Sequence, residues 1–166
     1  MQITPFKSRF YLENAGKAGF EENTKVRIHG WVYNKRSSGK IKFLIVRDGT
    51  GMIQGVLVKG ECDEKSFEEF EKLTQESAVV VEGILRKHPR TGEFELGVTA
   101  LEIVSVAEPY PISPKEHGIE FLMENRHLWV RSSKQFATLR IRAEIIRSIR
   151  EFFDMQGFVL FDAPIL

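Results

Sequence analysis

KVRIHGWVYNKRSSGKIKFLIVRDGTGMIQGVLV, residues 25–58, holds one run in which apolar and polar residues alternate and two more that are rich in β-forming residues. Over 25–34, Val26, Ile28 and Val32 fall on one side and Arg27, His29, Trp31 and Tyr33 on the other. That period of two predicts a strand. Runs at 40–47 and 52–58 flank Asp48-Gly49-Thr50-Gly51, and Asp-Gly between such runs signals a hairpin. If all four residues form the loop, Arg47 pairs with Met52, Ile45 with Gln54, and Phe43 lies diagonal to Gln54. If the turn has two residues, Phe43 faces Gln54 directly. A three-residue loop separates the two. Either of the first two registers puts Phe43, Ile45, Arg47, Met52, Gln54 and Val56 on one face. The other face carries Leu44, Val46, Ile53 and Leu57, which are uniformly apolar and belong to the core.

Outward from this stretch, Phe67, Phe70 and Leu73 recur at helical spacing among acids over 63–75, predicting a short amphipathic helix. Residues 77–86 and 94–104 predict a second hairpin around His88-Pro89-Arg90-Thr91-Gly92. Three strands, a helix and two strands is the element order of an OB-fold, a five-stranded barrel whose face around strands two and three binds oligonucleotides. The expected fold class is mainly β: this barrel with one inserted helix.

Prolines at 109, 111 and 114 interrupt the pattern, so 105–116 is expected to link the barrel (1–104) to a second unit (117–166). There, Ser132-Ser133-Lys134-Gln135 forms a capping box for a helix reaching about Gln156 and stopping at Gly157. Phe158-Val159-Leu160-Phe161 reads as a strand, ending at Pro164. One helix and one strand leave broad apolar faces uncovered, so this unit is expected to be incomplete.

Charge is segregated. Lys25, Arg27, Lys35, Arg36, Lys40, Lys42 and Arg47 lie between 25 and 47 with no acid among them, whereas 59–82 holds eight acids and three bases. A basic strip suits a polyanion, or a sheet edge kept soluble by lysines. No run of about 18 apolar residues predicts a membrane span, and residues 1–10 lack a signal-peptide core. The single cysteine, Cys62, permits no internal disulfide, and Glu61, Asp63 and Glu64 beside it oppose a thiolate. A cytoplasmic setting is expected. His29, His88, His117 and His127 show no metal-ligand spacing, and no catalytic constellation emerges. Phe43 beside Gln54, within the basic strip, offers a stacking ring next to an amide, as recognition of an unstacked base requires.

These residues bear a family likeness. Val26-Arg27-Ile28-His29-Gly30-Trp31-Val32, with Arg36, Phe43, Arg47-Asp48, Gly51 and Gln54, resembles the anticodon-binding domain of class IIb aminoacyl-tRNA synthetases, the aspartyl, asparaginyl and lysyl enzymes. The resemblance implies that Phe43 stacks on the middle anticodon base, a uridine, which Gln54 and Arg36 read. It also implies that Glu95 contacts the first anticodon base. Pro114-Lys115-Glu116-His117-Gly118, Phe121-Leu122 and Arg126-His127-Leu128-Trp129-Val130-Arg131 are similar to the asparaginyl branch. The helix ending at Gly157 and the segment to Asp162-Ala163-Pro164 resemble class II motif 1, the opening of an α+β catalytic domain, where Pro164 would lie at a homodimer interface. The implied protein is a ligase that uses ATP, Mg²⁺, asparagine and tRNA. Its ATP-binding motifs 2 and 3 lie beyond Leu166, so the 166-residue chain is expected to be inactive alone. An aspartyl enzyme, including one that does not discriminate between the two tRNAs, and a free-standing RNA-binding barrel are the alternatives.

Overall fold

The computed structural model describes residues 12, 15, 20–113 and 115–165; Met1–Phe10, Pro114 and Leu166, on which some of the expectations above fall, lie outside them. Five strands form a closed barrel in the order β1-β2-β3-β5-β4: β1 (Lys25–Ser38), β2 (Ile41–Arg47), β3 (Met52–Val58), β4 (Ala78–Lys87) and β5 (Phe94–Ser105). All pairings are antiparallel except β3 with β5, which run parallel from Gln54–Glu95 to Val56–Gly97 and close the barrel. The OB-fold expected from the element order is the fold present. Alternation carries through to burial: Ile28, Val32, Leu44, Val46 and Leu57 are fully enclosed, as are Val81, Leu85 and Leu96 from the second hairpin.

Asp48 decides the loop length. Its buried carboxylate accepts from the amides of Thr50 (2.8 Å) and Gly51 (3.1 Å) and from the Thr50 hydroxyl (2.7 Å). Gly49 takes φ +90°, a conformation open to glycine at little cost. The loop therefore has four residues, and Arg47 pairs with Met52 and Ile45 with Gln54. The same carboxylate accepts from Leu12 N–H (2.8 Å), anchoring a residue of the core cluster.

The inserted helix is shorter than its apolar spacing suggests: α1 spans Glu64–Glu69 and tightens into a 3-10 turn over Phe70–Lys72, with Phe70 and Leu73 buried in the core. Asp63 caps it, accepting from Ser66 N–H (2.7 Å) and the Ser66 hydroxyl (2.6 Å). The Ser66 oxygen in turn accepts from Leu101 N–H (2.6 Å), so the cap ties α1 to β5. Those two Ser66 hydrogen bonds hold the Asp63 carboxyl below the usual carboxylate range. Asp63→Ala is expected to lower stability by about 0.5–2 kcal/mol at neutral pH. Because the folded-state value is depressed, the contribution is complete above about pH 4 and fades as pH falls through it. Urea melts at pH 7 and pH 3 check this: the gap between variant and parent should narrow at the lower pH.

The chain divides into two compact units, Met1–Tyr110 and Pro111–Leu166. The second unit holds α2 (Ile119–Glu124), α3 (Arg126–Trp129) and α4 (Ser133–Met155). Ser132 caps α4 by accepting from Gln135 N–H, and Gly157 at φ +85° follows its end. The strand expected at 158–161 is not formed. Val159 and Phe161 are 89% and 81% exposed with no ladder beside them, and a lone extended segment has no partner for its backbone groups. No residue of α4 is buried; Leu139, Ile145, Ile149 and Phe152 all face solvent.

Candidate nucleic-acid interface

Four of the five residues singled out from the sequence converge on one outer face of the barrel. Two adjacent rows cross the sheet. In one, Arg36 lies opposite Phe43, Phe43 opposite Val56, and Val56 opposite Gly97. In the next, Asn34, Ile45, Gln54, Glu95 and Arg86 follow one another over five strands. Phe43 is thus a diagonal neighbour of Gln54, within about 7–8 Å, and Glu95 stands directly beside Gln54. All three are half-buried, with Phe43, Gln54 and Glu95 turned away from Leu44, Ile53 and Leu96 in the core. The fifth residue, Pro164, is exposed in the second unit.

Arg36 reaches this face because of a fault in β1. The β1–β2 register shifts between Val32 and Asn34, leaving Tyr33 as an extra residue. A bulge reverses the side-chain alternation beyond it. Before the bulge, even-numbered residues point inward; after it, Lys35 turns toward α1 and Arg36 turns out. The Arg36 guanidinium lies 4.1 Å from the Phe43 ring centroid, a cation–π contact. Strict alternation from Val26 would have sent Arg36 into the core, so spacing alone does not place it.

The basic strip is narrower than the charge count implies. Lys42 lies on the core side of β2 and is 4% exposed. Its ammonium pairs with Glu71 (2.7 Å), donates to the Phe67 carbonyl and stands 3.9 Å from the Phe67 ring. Lys35 donates to the carbonyls of Phe70 and Glu71 (3.0 Å each), closing the C-terminal end of the helical turn. Desolvation lowers the Lys35 pKa, and the hydrogen bond from Lys42 holds Glu71 below the usual carboxylate range. Arg47 is bound to Glu76, and Arg27 contacts Glu82 and Glu102 (3.5 Å each). Two lysines of the strip thus serve the helix end, and two of its arginines pair with acids elsewhere in the barrel.

On the outer face the Gln54 amide and Glu95 carboxylate make no hydrogen bond or ion pair among the described residues. A ring, an amide and a carboxylate side by side can stack a base, read its edge and accept from its N–H groups. Beyond Glu95, the Arg86 guanidinium lies across Gly97; a Cβ at 97 would stand 2.8 Å from its Cζ. Sequence reasoning passed over both residues. The signal was a glycine at an outward position next to Glu95, where β-rich sequence otherwise carries a side chain.

Cys62 is buried, and desolvation raises its thiol pKa ahead of the nearby Asp63 and Glu61 charges. Among the described residues no group of His, Cys, Asp and Glu is placed to hold a metal ion, and no helix is long and apolar enough to cross a membrane.

The chain matches two family models in succession: an OB-fold nucleic acid binding domain over residues 26–104 and class II tRNA synthetases (D, K and N) over 118–166. It is 58% identical to an asparagine–tRNA ligase of Desulforamulus reducens over 93% of its length and 57% identical to one of Koribacter versatilis over 89%. It spans about a third of these relatives, 35% and 34% respectively. The crystal structure of the Pyrococcus horikoshii asparaginyl-tRNA synthetase complexed with asparaginyl-adenylate superposes on 96% of the chain, and on 37% of its own, at TM-score 0.85 and 33% identity. An OB-fold barrel with its outward aromatic, followed by the opening of a class II unit and joined by this similarity, places the chain in the class II tRNA synthetase family, in its asparaginyl branch.

Proposed function

We propose that the β2–β3–β5 face binds the anticodon loop of a tRNA, and that the protein to which this chain belongs is an asparagine–tRNA ligase. That enzyme would join asparagine to its tRNA while ATP is converted to AMP and diphosphate. The observation that carries the reading is the juxtaposition of the half-exposed Phe43 ring with the Gln54 amide and Glu95 carboxylate. Phe43 would stack on the middle base, Gln54 and Arg36 would read it, and Glu95 would accept from the first base. The division this reading assigns is an anticodon-binding domain over 1–104, a linker over 105–116 and the opening of the catalytic domain over 117–166. By the family resemblance, ATP and Mg²⁺ would be bound through motifs 2 and 3 of that enzyme. The apolar surface of α4 and Pro164 would contribute to a homodimer, and the enzyme would work in the cytoplasm.

Phe43→Ala is expected to weaken binding of an anticodon stem–loop by about 1–3 kcal/mol, the range for one base stacked on an aromatic ring. Fluorescence anisotropy at fixed salt checks this. The ring is half-exposed, so the melting curve of the variant should stay close to that of the parent. Unchanged affinity in the variant would remove the proposed face from consideration.

A further inference from the structure

Resting on the anticodon reading, we infer that the chain between the barrel and the second unit is a clamped strut with a hinge at Ile112, and not a loose tether. Thr74, Ser77 and His117 are the positioning residues that shorten it. The strut restricts where a tRNA held by the barrel can present its acceptor end to the rest of the ligase.

The first clamp lies in the first unit. Ser77 is fully enclosed, and its hydroxyl oxygen accepts from the N–H groups of Thr74 and Ala107 at 3.1 Å each. The Thr74 hydroxyl donates to the Ala107 carbonyl at 2.6 Å and stands 2.9 Å from the Ser77 oxygen. One pair of hydroxyls thereby takes both backbone groups of Ala107, just beyond the end of β5 at Ser105. The second clamp lies in the second unit. His117 Nε2 is 3.1 Å from both the N–H and the carbonyl oxygen of Ser113, so one bond forms whichever tautomer the ring adopts. The ring is itself held, stacked on Phe121 of α2 at 4.9 Å and 19°.

Between the clamps remain Glu108-Pro109-Tyr110-Pro111-Ile112. Proline fixes its own φ and pushes the residue before it toward extended backbone, so Pro109 and Pro111 restrict Glu108 and Tyr110 as well. Ile112 alone carries neither restriction, and the chain bends beside it at Pro111. A proline-rich run extends by about 3.1 Å per residue, so Ala107 and Ser113 are held at most roughly 19 Å apart. An unclamped chain over 105–116 could sample separations up to roughly 40 Å.

The test is pulsed electron spin resonance between labels on Lys65→Cys and Lys134→Cys, in a Cys62→Ala background diluted with unlabelled chain. Lys65 is 82% exposed and Lys134 is exposed. The parent should give a narrow distance distribution. Pro109→Ala combined with Pro111→Ala should broaden it about twofold or more. Thr74→Val and His117→Leu should each broaden it by lengthening the strut from one end. His117→Gln, whose amide offers the same donor or acceptor, should restore the parent width, and Ile112→Pro should narrow the distribution further. A parent as broad as the double proline variant would overturn the inference, as would an unchanged width in both that variant and His117→Leu. In the whole ligase, the double proline variant should lower kcat/KM for tRNA about tenfold or more while adenylate formation without tRNA stays unchanged. Unchanged charging, or an equal loss in both reactions, would overturn the positioning role. Anticodon stem–loop affinity keeps the two levels apart, since the strut variants leave the binding face intact and should match the parent. If Phe43→Ala does not weaken that affinity, the anticodon reading fails, and the distance distributions still decide the strut.

Discussion

Arg47→Met is expected to lower the unfolding free energy of the barrel by about 3–5 kcal/mol, the cost of breaking a buried ion pair from one side. The Arg47 guanidinium donates to both carboxylate oxygens of Glu76, at 2.7 and 3.0 Å, and the side chains are 14% and 8% exposed. Glu76 also holds φ +68°, a left-handed conformation that costs a non-glycine residue about 1–2 kcal/mol. Its amide donates to the Val32 carbonyl (2.7 Å), and the next residue, Ser77, accepts from Val32 N–H (2.9 Å). The Ser77 hydroxyl oxygen accepts from Ala107 N–H (3.1 Å), and the Thr74 hydroxyl donates to the Ala107 carbonyl (2.6 Å). The ion pair thus secures the loop that clasps the chain as it leaves β5. Without the guanidinium, the Glu76 carboxylate loses its bidentate donor in a mostly dry place and its strained backbone loses a support. Urea melts of Arg47→Met, Glu76→Leu and the double variant provide the check. The double variant should recover a large part of the loss, because two apolar residues leave no orphaned charge. A single-variant loss below about 1 kcal/mol, the size of an exposed pair, would show that the pair is not buried in solution.

The second large effect concerns Gly30. A Cβ there would stand 2.5 Å from the Arg47 carbonyl oxygen and 2.8 Å from Val46 Cγ1. The adjacent Trp31 pairs with Arg47 of β2 and Ala78 of β4, so Gly30 sits where β1 passes from one neighbour to the other. Backbone on the facing strand cannot step aside without opening the β1–β2 ladder. Gly30→Ala should therefore destabilise the barrel by about 1–3 kcal/mol or more, the range for overpacking a tight core. Gly97→Ala, whose nearest obstruction is the tip of an exposed arginine, should stay within about 0.5 kcal/mol of the parent. Thermal melts of the two variants side by side give the answer; equal shifts would mean that Gly30 does not mark a close strand approach.

Much of this was readable before any coordinates. The hairpin of β2 and β3 follows from Asp48-Gly49 and from the uninterrupted apolar set Leu44, Val46, Ile53 and Leu57. Phe43 and Gln54 then share the opposite face in either register that the loop allows. The choice between those registers was not readable, because it depends on the Asp48 carboxylate gathering the Thr50 and Gly51 amides, which fixes a four-residue loop. Segment 158–161 failed for a different reason. Its composition suits a strand, but strand formation needs a neighbour to receive its hydrogen bonds, and composition says nothing about whether one is present.

Lys42 shows the same limit from the side of charge. Counted along the chain it belongs to a basic strip; in the barrel it is a buried cation held by Glu71, the Phe67 carbonyl and an aromatic face. Side-chain alternation and turn chemistry are local, so the chain's own order of residues sufficed to specify a five-stranded barrel and an outward aromatic beside an amide. The bulge at Tyr33, the internal use of Lys35 and Lys42, and the seat of Arg86 over Gly97 depend on which strands become neighbours. That is settled only when the barrel closes through the parallel β3–β5 pairing, because contacts between residues distant in the chain exist only in the folded molecule.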